Sequence, residues 1–483
     1  MKMNSTQAGA GAAPGELSRL SATQMLEGYR SGVFDPVDVI EDTIGALKAA
    51  DAACNIMVSD LFSTARAAAE KSAKAFREGS AGPMEGVPVS IKDLVFVAGA
   101  PAKGGAPSLA DTVPSIDAHV VVKLKDAGAI PTCKTTTCES GYKLTADSPV
   151  SGITRNPWNT GRTSGGSSGG AAAGVAAGAG PIAIGTDGVG SIRVPSSFCG
   201  VFGLKPTFGL VSRAPGFFPP SWGSLAHTGP IARTVADAEL TLKTIAGYDI
   251  RDAASLDCWA PGSRDKSAIL RISVSPDFGY AAVDPVVQSA FASAVETLLG
   301  AEFAQASPSV ELDADILEKV LKPIALTEQA ASVGDRGDEA FAESDPDFRA
   351  VIEAGRQYSG LDYMTATHRR AKMRGQFVEL FKSADILLTP TVAVPAFAAG
   401  TLGVCEIDGK AVDAHLGWSP FTWPINLVGL PAATVPCGFS PDGLPIGLQI
   451  IAPWGREDSI LTVAKAFERL APWAGNYPSL LVS

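Results

Sequence analysis

Apolar positions recur at helical spacing through residues 21–30, 36–49 and 61–77. The string Ser21-Ala-Thr-Gln24 opens the first of these with the form of a capping box, in which a hydroxyl and a glutamine satisfy orphan backbone donors at a helix start. Residues 87–91 form a short continuous apolar run, which predicts a strand buried on both faces and ending at Lys92-Asp93. A helix follows over 119–127, then a turn at Gly128-Ala-Ile-Pro-Thr into another strand. Residues 152–166 read as loop by composition. The Ala/Gly-rich stretch 169–185 is too short and too broken by Pro181 for a membrane span, so it predicts a buried helix and then a strand at 182–185. Helical spacing returns at 234–246, and strand signals at 270–275, 386–390, 432–436 and 447–451. Strands alternating with helices predict an α/β fold around a parallel or mixed sheet. Residues 255–345, with amphipathic helices and acidic stretches, read as a peripheral lobe or an insertion in that sheet.

Composition narrows the function classes. With 46% hydrophobic and 18% charged residues, the chain is a soluble globular one. Its net charge of −11 argues against nucleic acid and anionic membranes as partners. The seven cysteines are scattered, with no histidine near the Cys133/Cys138 pair. They read as reduced thiols, neither a metal site nor a disulfide framework, and place the protein in the cytoplasm. Residues 1–15 lack the apolar stretch of a signal peptide and are expected to be a loose tail, leaving 16–483 as one domain.

Candidate chemistry concentrates in two glycine/serine clusters that flank the Ala-rich helix: Gly165-Gly-Ser167-Ser168-Gly-Gly170, and Gly185-Thr-Asp187-Gly188-Val189-Gly190-Ser191-Ile-Arg193. Neither contains a Walker loop, and neither has the spacing of a dinucleotide fingerprint. Gly165–169 and 166–170 do match GxSxG, the nucleophile elbow of esterases, but that elbow needs an apolar strand before it and polar loop stands there. Tight turns alone would explain the glycines. They would not explain two serine-bearing clusters around one helix, or Asp187 and Arg193 beside the second.

The run from Gly165 to Thr207 resembles the signature of the amidase signature family. So do Gly86-Val-Pro-Val-Ser-Ile-Lys92-Asp93, Cys133-Lys-Thr-Thr-Thr-Cys-Glu139, His227-Thr-Gly-Pro-Ile-Ala-Arg-Thr234 and the segment 424–449. The resemblance implies a single large α/β/α domain around a twisted mixed β-sheet with surrounding helices. It implies an amidohydrolase that uses Ser191 as nucleophile, Ser167 after a cis peptide as bridge, and Lys92 as base. The spacings, 191 − 167 = 24 and 167 − 92 = 75, suit that pattern. It implies an oxyanion hole from the N–H groups of Gly188, Val189, Gly190 and Ser191, with no metal and no organic cofactor. Asp187 and Arg193 are assigned a supporting ion pair, and Ser168 the N-cap of the helix. One departure stands out, because the family usually has glycine at the position of Val189. A β-branched residue resists positive φ, so either the backbone is extended there or the donor set is reshaped.

The glutamyl-tRNA amidotransferase branch usually carries Ser-Leu-Asp-Gln where this chain has Ser224-Leu-Ala226-His227, which favours a stand-alone hydrolase, monomeric or homodimeric. Phe217, Phe218, Trp222, Trp418, Phe421 and Trp423 are expected either to line an apolar pocket suited to neutral aryl or alkyl amides and carbamates or to serve as core.

Overall fold

The structure is a computed structural model that describes residues 16–216, 223–257, 269–300, 303–306, 309–334 and 341–479. The expected tail, 1–15, lies outside the described residues. Eleven strands form one sheet: β1 Met57–Asp60, β2 Pro88–Lys92, β3 Ile130–Thr135, β4 Ile182–Asp187, β5 Phe202–Lys205, β6 His227–Ala232, β7 Arg271–Val274, β8 Ala304–Gln305, β9 Ile386–Pro390, β10 Ala432–Phe439 and β11 Pro445–Ile451. Their spatial order is β1-β3-β2-β4-β6-β5-β10-β11-β9-β7-β8. Pairing is parallel between β2 and both β3 and β4, and antiparallel from β4 through β6, β5, β10 and β11 to β9. It is parallel again from β9 to β7 and β8, so the sheet is mixed, as the fold class required.

Helices cover both faces, and the strand sequences explain why. Along β4, Ile182 and Ile184 enter one core cluster while Ala183 enters another on the opposite face. Along β9, Ile386 and Leu388 face the first cluster and Leu387 a different one. Such a strand has no solvent side, so its sequence is a continuous apolar run without alternation.

The early helices are α1 Ala22–Ser31, α2 Pro36–Cys54 and α3 Phe62–Glu78. The capping box at Ser21 and Gln24 is formed, with both reciprocal bonds present. Next come α4 His119–Asp126, α5 Gly169–Ala176, α6 Arg193–Cys199 and α7 Val235–Ile245. Every residue of α5 is buried. That accounts for its Ala/Gly composition: a Cβ on Gly170 would come within 2.5 Å of Ile56 O. The remaining helices are α8 Pro285–Leu299, α9 Lys322–Val333, α10 Pro346–Gly355, α11 Gly360–Leu380, α12 Trp423–Val428 and α13 Glu457–Leu470.

One region differs from the sequence reading. Residues 152–166 are not plain loop: Gly152–Ile153 pairs with Asp147–Ser148, and Asn159–Thr163 pairs back on Arg155–Asn156. These ladders are polar and partly exposed, so no hydrophobic alternation marks them. Within 255–345, β7 joins the main sheet beside β9, and β8 forms its edge. Among the described residues no helix is long and apolar enough to cross a membrane.

Candidate active site

Lys92 is the last residue of β2, a strand whose five residues are all buried, and the side chain has no exposed surface. The strand's direction carries it out of the apolar core to the end of α5, where polar partners wait. Nζ donates to Ser167 Oγ at 2.7 Å and to Thr186 Oγ1 at 2.8 Å, with Thr186 O at 3.4 Å. Burial pushes the lysine down from its usual range to about 7, against the opposing pull of Cys138 and Asp187. The group therefore exchanges its proton near neutrality.

Ser167 is presented by the turn before α5. The Gly166–Ser167 peptide is cis. Gly166 passes so near the 145 backbone that a Cβ would fall 2.1 Å from Thr145 O, so only glycine fits. Ser168 occupies the N-cap position of α5, as assigned, but its side chain makes no capping bond. Its hydroxyl instead clasps β4, donating to Thr186 O at 3.1 Å and accepting from Thr186 N–H at 3.3 Å. Its backbone N–H donates to Ser191 O at 3.1 Å. The two glycine/serine clusters, 24 residues apart from Ser167 to Ser191 in sequence, are thus tied directly together.

Ser191 lies in the turn between β4 and α6. That turn is wrapped around Asp187. Gly190 N–H donates to Asp187 Oδ1 at 2.7 Å, and the N–H groups of Ile192 and Arg193 donate to Oδ2 at 3.2 and 3.4 Å. Arg193 closes the arrangement with a two-pronged ion pair, Nε to Oδ2 and Nη2 to Oδ1, each 3.0 Å, both side chains fully buried. Burial alone would raise the Asp187 carboxyl; the Arg193 guanidinium outweighs it and holds the group well below the usual carboxylate range. Asn426 on α12 donates to Asp187 O and Oδ1 at 3.0 and 2.9 Å, and Gln449 on β11 accepts from Arg193 Nη1 at 2.7 Å.

This wrapping bears on the expected donor set. The Gly190 N–H is committed to Asp187, which leaves Gly188, Val189 and Ser191 as the candidate donors. It also resolves the departure at Val189. The left-handed position is Gly190, at φ 139°, and Val189 is not among the residues with positive φ. The valine side chain is 1% exposed in the core, and its carbonyl accepts from Thr422 Oγ1 at 2.7 Å. Ser167, Thr186, Gly188 and Ser191 line one cavity, which also takes in Leu94, Val95, Val120, Pro215, Arg213 and His227.

The family whose sequence model matches residues 38–461 is described as Amidase. The chain belongs to that family. It is 35% identical over 467 residues to an acylamidase of Rhodococcus erythropolis, covering 95% of this chain and 97% of that one. It is 31% identical over 486 residues to a glutamyl-tRNA(Gln) amidotransferase subunit of Syntrophus aciditrophicus, covering 94% and 98%. Among solved structures, a bacterial aryl acylamidase of the amidase signature enzymes superposes with a TM-score of 0.87 at 28% identity, covering 96% and 98%. The protein is an amidase signature enzyme, a hydrolase of C–N bonds in linear amides.

The structure changes the picture of how this amidase builds its pocket. Trp418, Phe421 and Trp423 do not line the cavity. They are 0, 0 and 1% exposed in the core, where Trp418 stacks on Phe198 of α6 at 5.9 Å. Tryptophan and phenylalanine bury enough area to serve as core wherever the fold encloses them, and their sequence neighbours carry no sign of which role they take. Phe217, Phe218 and Trp222 lie outside the described residues. Several residues around the amidase site went unsingled in the sequence: Thr186, which shares the lysine, and Thr422, Asn426 and Gln449, which hold the Asp187 turn. Thr186 adjoins Asp187 within the signature and was within reach of inspection. The other three come from distant segments that only the sheet order brings near.

Proposed function

We propose that this amidase cleaves neutral amides with aryl or alkyl groups, or the corresponding carbamates, through an acyl-enzyme on Ser191. The observation that carries the reading is the Lys92 Nζ–Ser167 Oγ hydrogen bond of 2.7 Å, buried beside the cavity that Ser167 shares with Ser191. Neutral Lys92 takes the Ser167 proton as Ser167 takes that of Ser191, and Ser191 Oγ attacks the carbonyl carbon. The oxygen that gains charge meets the N–H groups of Gly188, Val189 and Ser191. The C–N bond breaks as the proton returns through Ser167 to the departing nitrogen. Water then attacks the ester on Ser191, gives its proton to the same relay, and releases the acid. Asp187 and Arg193 do not touch the reacting atoms in this scheme; they set the turn that presents them.

The cavity wall supports neutral substrates. Leu94, Val95, Ala118, Val120 and Pro215 supply apolar surface. The experiment is a comparison of kcat/KM on purified protein with no partner protein added. A neutral anilide or aryl carbamate should exceed glutamine, asparagine and malonamate. A preference for glutamine, or activity only with added partners, would replace this reading with that of an amidotransferase component.

A further inference from the structure

Two polar side chains on the cavity wall take no part in the proton relay. His227 opens β6 and is 2% exposed. Its Nδ1 lies 3.3 Å from the carbonyl oxygen of Asp187 and 3.5 Å from Asn426 Nδ2; the two amide hydrogens have nearer acceptors in Asp187 O and Oδ1, at 3.0 and 2.9 Å, so Nδ1 carries a hydrogen toward Asp187 O and Nε2 is a bare acceptor. Nε2 is buried and has no hydrogen-bond partner among the described residues. Burial holds the imidazole well below its usual range, and Lys205 adds to that effect, so the ring stays neutral in ordinary buffers.

Arg213 carries the complement. Its backbone N–H donates to Asp252 Oδ2 at 2.9 Å and its Nη2 to Gly223 O at 3.0 Å. Its Nη1 is buried without a partner among the described residues. One ring joins the two: Phe208 meets His227 edge to face at 5.4 Å between centroids, and the Arg213 guanidinium lies 5.7 Å from the Phe208 centroid. Both residues line the cavity of Ser167 and Ser191. An unpaired buried donor and an unpaired buried acceptor each carry a standing desolvation cost, which a ligand that pairs with them relieves.

We propose that Arg213 Nη1 and His227 Nε2 form a polar subsite for a neutral group that offers both an acceptor and an N–H, in the simplest case a carboxamide carried by the substrate beside its scissile amide. This rests on the reading of the cavity as the amidase site and specifies its substrate further. A carboxylate fits less well, because neutral His227 has no hydrogen to give it from Nε2. The charges of Asp252 and Glu328 also already answer Arg213. A purely hydrocarbon group leaves both atoms unpaired.

The test uses anilides of matched size bearing a hydrocarbon, carboxamide or carboxylate end, in one series on the acyl chain and in another on the aniline ring. In the wild-type protein one series should show kcat/KM for the carboxamide about tenfold or more above the hydrocarbon, and the carboxylate below the carboxamide. His227→Phe and Arg213→Met should each collapse that ratio toward unity, whatever their absolute rates. His227→Gln keeps a donor for Asp187 O and an acceptor for the substrate, and should keep most of the ratio. No carboxamide preference in either series, a carboxylate preference, or an equal loss on all substrates in the variants would overturn the subsite. Failure of the wild-type protein on every anilide would instead overturn the proposed substrate class.

Discussion

Lys92 is a cation by composition, and its environment favours the neutral form. A free lysine titrates near ~10.4 and is charged at neutral pH. Here burial brings it to about 7, so the neutral form that accepts a proton grows as pH rises through that value. The kcat/KM profile should therefore climb from acid to mildly alkaline pH with a limb near pH 7. A profile flat from pH 5 to 9 would contradict the role of Lys92. Ser191→Ala should lose covalent labelling by a serine-directed phosphonate, and about 10⁴-fold or more of kcat. Ser167→Ala and Lys92→Ala should each approach the same loss, and the double variant should be little worse than either, if the proposed relay works as a unit. Additive losses, measured on one anilide, would show that the residues act separately.

At the scale of elements, the turn between β4 and α6 depends on one ion pair. Removing Arg193 leaves Asp187 charged, buried and short of its main counter-ion, a change that costs about 3–5 kcal/mol. Arg193→Met should lower the thermal midpoint and disorder the nucleophile turn, read by melting and by loss of phosphonate labelling. Asp187 adds its stability above the unfolded carboxylate pKa and loses it as pH falls toward its depressed native value, so that loss belongs to strongly acid solution. The glycine that this turn requires is Gly190, not the position of Val189. Gly190→Ala should abolish activity, because φ is 139° there and a Cβ would fall 2.6 Å from Thr422 Oγ1. Val189→Gly should keep the turn but lose core contacts, lowering stability by about 1–3 kcal/mol while labelling persists. If Val189→Gly loses labelling as completely as Gly190→Ala, the valine itself shapes the donor set. Short polar ladders such as Asn159–Thr163 show the limit of periodicity at this scale: polar and partly exposed, they carry no apolar rhythm.

Across the whole molecule, the buried thiols report how closed the fold is. Cys54, Cys133, Cys138 and Cys199 are buried, and Cys405 is exposed. Burial pushes Cys54 and Cys138 up to about 11 and Cys133 to about 12, so none of these is a thiolate near neutral pH. Maleimide treatment of the native amidase should modify Cys405, leave those four untouched by peptide mapping, and spare anilide hydrolysis. Modification of Cys138 before unfolding would mean that the region beside Lys92 opens. The sequence by itself determined the elements with two buried faces, β2, β4 and β9, because a strand without a solvent side must be apolar throughout. It also determined the glycine-bound turns, because backbone passing as near as Gly166 does to Thr145 admits no side chain. Lys92, Ser167 and Ser191 were singled out through the family resemblance of the strand end and the two glycine/serine turns that carry them, and the structure brings Lys92 to Ser167 beside the cavity that Ser167 shares with Ser191. Tertiary structure alone decided that Trp418, Phe421 and Trp423 fill the core and not the cavity. It alone decided that Gly190 turns its N–H to Asp187, and that Asn426 and Gln449 brace the turn from α12 and β11. Those outcomes depend on which distant segments the sheet order sets side by side, and no local pattern of residues encodes that order.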